Sequence, residues 1–161
     1  EIDLIINNNK NLKDFLTKSN ETFILHFQDI YTQFLKDILR YKKPTLFHCS
    51  AGKDRTGLAT VLIYLILDID LDIILKDYMK SNEYLVNNIT DYIKIMKDEF
   101  NLQDSDCEKL RPLCGVDLQY INTALKTMLI LPGVNNYNDY LEKYLGINSY
   151  LKNKFAEYLL L

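Results

Sequence analysis

The stretch His48-Cys49-Ser50-Ala51-Gly52-Lys53-Asp54-Arg55-Thr56-Gly57 sets a thiol and a guanidinium on either side of a short, glycine-containing run. Pro44-Thr45-Leu46-Phe47 leads in, and a long apolar run, Leu58 to Leu67, leads out. A strand, a tight loop and a helix start would aim successive backbone N–H groups at one spot. Free amides and the helix dipole both favour an anion there, and a phosphate suits the spot. Arg55 adds a planar fork able to bind two phosphate oxygens at once. Cys49 sits at the base of the cradle, where the same field stabilises a thiolate. Together they equip the chain for phosphoryl transfer through cysteine.

His-Cys-x5-Arg-Thr resembles the signature loop of the protein tyrosine phosphatase superfamily. The filling Ser50-Ala51-Gly52-Lys53-Asp54 is similar to the bacterial-type tyrosine/serine branch, which has dual specificity and lipid-phosphatase side activity. The stretch Asp77-Tyr78-Met79-Lys80-Ser81-Asn82-Glu83-Tyr84-Leu85 resembles the segment after that family's signature helix. Gly115-Val116-Asp117-Leu118-Gln119-Tyr120-Ile121, Tyr137-Asn138-Asp139-Tyr140-Leu141 and Leu145-Gly146-Ile147 resemble its C-terminal helices. The likeness runs from about Pro44 to the end.

The chemistry expected of the loop is stepwise. Cys49 attacks phosphorus to give a phosphocysteine, which water then hydrolyses. Arg55 grips the equatorial oxygens and stabilises the transition-state charge. Thr56 donates its hydroxyl to sulfur and eases its departure. Gly52 and Gly57 allow backbone geometry that a Cβ would block. Ser50, Ala51, Gly52, Lys53, Thr56, Gly57 and His48 form the expected substrate-binding set around catalytic Cys49, Arg55 and Asp54. His48 reads as a structural residue orienting the Cys49 backbone rather than as a base. Asp54 either protonates the leaving oxygen or hydrogen-bonds loop amides. Relatives that resemble this chain carry a general acid on a separate loop; Asp14 is the other candidate, though a surface helix carboxylate explains it as well. Lys53 reads as positive charge at the mouth, suited to multiply phosphorylated substrates, or as an exposed lysine offsetting Asp54.

The remaining candidates are bland. Cys107 and Cys114 would need two more zinc ligands, and His26 is remote in sequence, so ordinary thiols are expected. No metal and no cofactor is called for. The net charge of -3 gives no global basic field, so no nucleic-acid partner is expected. Three cysteines without a framework spacing imply free thiols, and a thiolate catalyst needs a reducing setting. The run Leu58 to Leu67 includes Thr60 and Tyr64 and is too short to span a bilayer. With no signal peptide visible, the expected location is cytoplasmic.

The elements that must position the loop read as mostly helical. Leu12 to Leu16 and Ile24 to Ile38 carry apolar residues at helical spacing. Lys42-Lys43-Pro44 ends that helix, and Thr45 to His48 reads as a short buried strand. Arg55 to Leu67 is the helix on which the loop rests. Helices are expected over Leu71 to Lys80, capped by Asp70, and over Tyr84 to Phe100. Leu102 to Gly115 reads as an irregular connection. Asp117 opens a further helix, Pro132-Gly133 punctuates, and two short helices finish the chain, the last capped by Asn148 or Ser149.

At 161 residues and 48% hydrophobic, one core and one domain are expected. A lone buried strand cannot satisfy its own edges. The resemblance implies an α/β fold: a phosphatase-type, parallel-rich sheet flanked by helices, this chain supplying mostly the helical C-terminal part and one central strand. The chain is therefore expected to be the C-terminal portion of a longer catalytic domain, with the N-terminal part as its partner. Three functions are compatible. One is a cysteine-dependent phosphatase for phosphotyrosine, and for phosphoserine or phosphothreonine. Another is a phosphoinositide or inositol-phosphate phosphatase. The third is an inactive phosphate-binding module.

Overall fold

The computed structural model describes residues 11–100, 103 and 110–160. Seven α-helices occur among them. They are α1 (Leu12–His26), α2 (Gln28–Tyr41), α3 (Asp54–Ile66), α4 (Leu71–Phe100), α5 (Leu118–Ile130), α6 (Tyr137–Leu145) and α7 (Ser149–Leu159). A 3-10 turn spans Arg111–Cys114.

The expected α/β sheet is overturned: the described residues contain no strand and no sheet. Thr45 to His48 runs without regular structure, and Leu46 is 92% exposed rather than buried. The reason is one of partners. A strand exists through the ladder bonds of a neighbour, and no described segment lies beside this one in a ladder. The β-branched and aromatic residues that suggested a strand express a preference that packing has to complete.

The helices follow local rules. Asn11 accepts from the Lys13 N–H, Asp117 from Gln119, Asn136 from Asp139 and Asn148 from Leu151, each satisfying a free amide of a helix start. Lys42 ends α2 in the left-handed region at φ 46, just before Lys43 and Pro44. The single helix read over Ile24 to Ile38 is broken at Phe27 into α1 and α2. The two helices expected over 71–80 and 84–100 are one helix of 30 residues. No glycine or proline interrupts it, and Ser81-Asn82 is tolerated where neither residue's side chain competes for its own turn.

The core forms where apolar stripes meet. α3 is apolar nearly all round and lies inside, with Leu58, Val61, Leu62 and Ile66 buried. Tyr31 and Leu35 of α2, Ile74 and Tyr78 of α4, Ile121 and Met128 of α5, and Leu141 and Phe155 of α6 and α7 close on it. A smaller cluster joins Leu12 and Leu16 of α1 to Met96, Leu110 and Tyr120. Among the described residues, no helix is long and apolar enough to cross a membrane. The Asn7-Asn8-Asn9 tract, a small polar run that reads most simply as a loop, and Cys107, with its zinc reading, lie outside the described residues.

Candidate active site

Residues 42–53 carry the chain from the end of α2 to the start of α3. The Phe34 and Phe47 rings, with centroids 4.9 Å apart, hold this connection against α2. The Tyr158 hydroxyl donates to the Lys43 carbonyl at 2.9 Å, holding it to α7. The loop then turns at Gly52, whose φ of +68 lies in the region that glycine adopts without strain. A Cβ at Gly52 would meet nothing, so conformation rather than space calls for glycine there.

Partial burial works to raise the Cys49 pKa. Against it, the Thr56 hydroxyl and the backbone N–H groups of Thr56, Gly52 and Lys53 favour the thiolate, and together they bring the pKa from the ordinary 9.0 to about 7. Thr56 Oγ1 is buried and makes no hydrogen bond in the resting loop. Ser50 and Ala51 are exposed on the rim, as is Arg55 in the first turn of α3. His48 Nδ1 lies 3.1 Å from the Cys49 carbonyl oxygen, a local contact with the backbone of the neighbouring residue.

Lys53 turns inward. It is 4% exposed, and its ammonium donates to the Gly115 carbonyl at 2.7 Å. Asp54 Oδ2 pairs with the same ammonium at 3.2 Å, while Oδ1 is buried without a partner. The mouth position expected for Lys53 is thus not the one it takes. A buried ammonium needs acceptors, and the carbonyl of a distant loop provides one.

Residues that carried no assigned role in the sequence gather here. Tyr31 is buried and donates to the Arg55 carbonyl at 3.4 Å; burial raises its pKa, with Arg55 opposing and Cys49 reinforcing that rise. Tyr78 packs against Gly57, and its buried hydroxyl has no partner. Burial also raises the Tyr78 pKa, helped by the Asp54 carboxylate nearby. Asn82 accepts from the Val116 N–H at 2.7 Å and donates to the Val116 carbonyl at 3.0 Å. The only sequence signal for Tyr78, Asn82 and Gly115 was that their stretches resembled family segments; spacing could not have joined them. Asp14 is exposed in the first turn of α1, a helix packed on α5.

Beside Cys49 and Arg55 lies a cleft of about 280 Å³ whose walls include Phe27, Tyr31, Phe34 and Phe47. The cleft is apolar and aromatic up to the cysteine and arginine. Among the described residues, no group of three or more His, Cys, Asp or Glu side chains is placed to hold a metal ion. Cys114 is buried, and burial raises its thiol pKa.

The chain matches the family model described as the tyrosine phosphatase family over residues 4–161. It is 35% identical over 69 residues to a Cupriavidus necator protein provisionally named a tyrosine-protein phosphatase, covering 43% of this chain and 25% of that protein. It is 44% identical over 46 residues to the triple specificity protein phosphatase PtpB of Mycobacterium tuberculosis, covering 29% of this chain and 17% of that protein. Both matches therefore span a quarter or less of the relatives' length. A cysteine and an arginine lining one cleft at a helix start accord with a family match over nearly the whole chain, and the chain belongs to the tyrosine phosphatase family.

Proposed function

We propose that this chain carries the cysteine centre of a phosphatase that hydrolyses phosphotyrosine. The observation that supports it most is that Cys49 and Arg55 line one aromatic-walled cleft at the start of α3, in a setting that lowers the Cys49 pKa to about 7. The reaction runs in two displacements. The Cys49 thiolate attacks phosphorus, the bond to the leaving oxygen breaks, and that oxygen takes a proton from Asp54. Water then attacks the phosphocysteine and gives its proton to the Asp54 carboxylate. The S–P bond breaks, the thiolate returns, and inorganic phosphate departs. Arg55 and the loop amides carry the charge on the equatorial oxygens throughout.

Asp54 is the proton donor in this scheme because it stands beside Arg55 and its Oδ1 has no partner, so the carboxyl is not wholly spent on bracing Lys53. The aromatic cleft beside Cys49 favours an aryl phosphate over a bare sugar phosphate. The inward turn of Lys53 takes its ammonium away from a position in which it would read a second phosphate. The test is turnover of a phosphotyrosine peptide and a phosphoinositide side by side, with a chelator present. Faster hydrolysis of the peptide is expected. Preference for the phosphoinositide would transfer the site to lipid chemistry, and binding without turnover of either would make it a phosphate-recognition module.

A further inference from the structure

The stretch 77–85 presents two side chains to the loop from one helix. Tyr78 and Asn82 stand four residues apart on α4, hence on the same face. Tyr78 packs on Gly57 in α3, and Asn82 holds both backbone groups of Val116. A side-chain amide that pairs with the N–H and the C=O of one residue fixes that residue's orientation as a strand neighbour would. The amide can satisfy both only with its oxygen toward the N–H, so its orientation is set as well.

Gly115 completes the clasp. Its φ is -143, ordinary extended backbone, so strain does not call for glycine. Space does: a Cβ there would sit 2.7 Å from Asn82 Oδ1. The carbonyl of that same Gly115 receives the Lys53 ammonium at 2.7 Å. A continuous set of contacts therefore runs from Asn82 through Val116 and Gly115 to Lys53, which stands four residues after Cys49 in the loop. The Lys53 backbone N–H is among the groups that favour the Cys49 thiolate.

We propose that Asn82 is a positioning residue for the signature loop, holding it through the Gly115–Val116 backbone and the Lys53 ammonium. The proposal rests on the reading of Cys49 as the reacting group. Asn82 touches neither substrate nor sulfur. Its effect is to keep the Lys53 amide where the thiolate needs a donor. Loss of the clasp lets the 115 carbonyl rotate, and a buried ammonium that loses its acceptor drags its own backbone toward another.

The test reads the thiol without turnover. In the full chain, the rate of Cys49 alkylation by iodoacetamide, mapped by peptide mass, is followed against pH together with thermal unfolding. Wild type is expected to titrate with a midpoint of about 7. Asn82→Ala should raise the midpoint by about one unit, which slows alkylation at pH 6.5 roughly eightfold. Asn148→Ala, which removes the α7 cap, is the control. It should lower the melting temperature and leave the midpoint in place. An Asn82→Ala protein that melts lower yet keeps the wild-type midpoint overturns the proposal while leaving Cys49 as the reacting group. A wild-type midpoint near that of a free thiol overturns both. Should Asn82→Ala not fold, Gly115→Ala decides from the other side, since its methyl group must displace Asn82: an unmoved midpoint there overturns the proposal, and a raised one supports it.

Discussion

The ring of Tyr78 lies across Gly57 so closely that a Cβ built on the glycine would sit 2.8 Å from a ring carbon. Glycine inside a helix is destabilising, so the contact must account for it: at Gly57 the absent side chain lets α4 approach α3 one turn after the loop. Alanine at this place would gain about 0.5–1 kcal/mol of helix preference. Against that stands overpacking of a buried ring, typically about 1–3 kcal/mol. The clash should win, and Gly57→Ala should be destabilised by about 1 kcal/mol in chemical denaturation. A higher denaturation midpoint for the variant would mean that Tyr78 moves aside freely.

Thr56→Val tests the donor at the sulfur. The methyl group keeps the shape and removes the hydroxyl that favours the thiolate. The pH midpoint of Cys49 alkylation should rise above 7, toward the ordinary 9.0. An unchanged midpoint would assign the effect to the loop amides alone.

The same depressed pKa has a sign in stability. Cys49 titrates at about 7 when folded against an ordinary 9.0. Interactions with the thiolate therefore contribute fully above pH 9 and are lost as pH falls through 7. Wild type should gain stability relative to Cys49→Ser as pH is raised from 7 to 9. A constant difference across that window would show that the thiol is not held as a thiolate.

Turnover and binding should separate at the nucleophile. Cys49→Ser is expected to have no measurable turnover while inorganic phosphate still binds, because the amides and Arg55 remain. Arg55→Lys keeps the charge and loses the fork, and should reduce kcat by roughly 10²–10³. Steady-state activity in clean Cys49→Ser protein would rule out the phosphocysteine route.

Asp54→Asn separates proton donation from bracing. As proton donor, its loss should slow an alkyl phosphate by about 10²–10⁴ and an activated aryl phosphate far less, since that leaving oxygen scarcely needs a proton. Equal losses on the two substrates would reduce Asp54 to the Lys53 partner seen at 3.2 Å.

The signature loop, its helix and the caps at Asp117 and Asn148 were legible in the residues. The reason is locality: each cap serves an amide two or three residues ahead, a contact set by chain geometry. The long apolar run Leu58 to Leu67 likewise announced α3, whose apolar residues leave it nowhere to lie but inside. The strand was misread because a strand's stability belongs to its neighbours; composition reports a preference at 45–48 and is silent on whether a partner is there. The break at Phe27 and the unbroken α4 were misjudged because propensity differences of a few tenths of a kcal/mol are easily outweighed by packing.

The sequence alone determined that a thiol and a guanidinium would share a glycine-turned loop at a helix start, because their spacing and that loop's backbone are short-range matters. Only the tertiary structure decided where the loop's charges point. The Lys53 ammonium is bonded to a carbonyl 62 positions away, and Asn82 reaches a residue 34 positions away. Chain geometry over such distances constrains nothing, and the pairing follows from burial: once α4 and the 115–116 backbone close over the loop, the covered Lys53 ammonium and the Asn82 amide are stabilised by the backbone groups at hand.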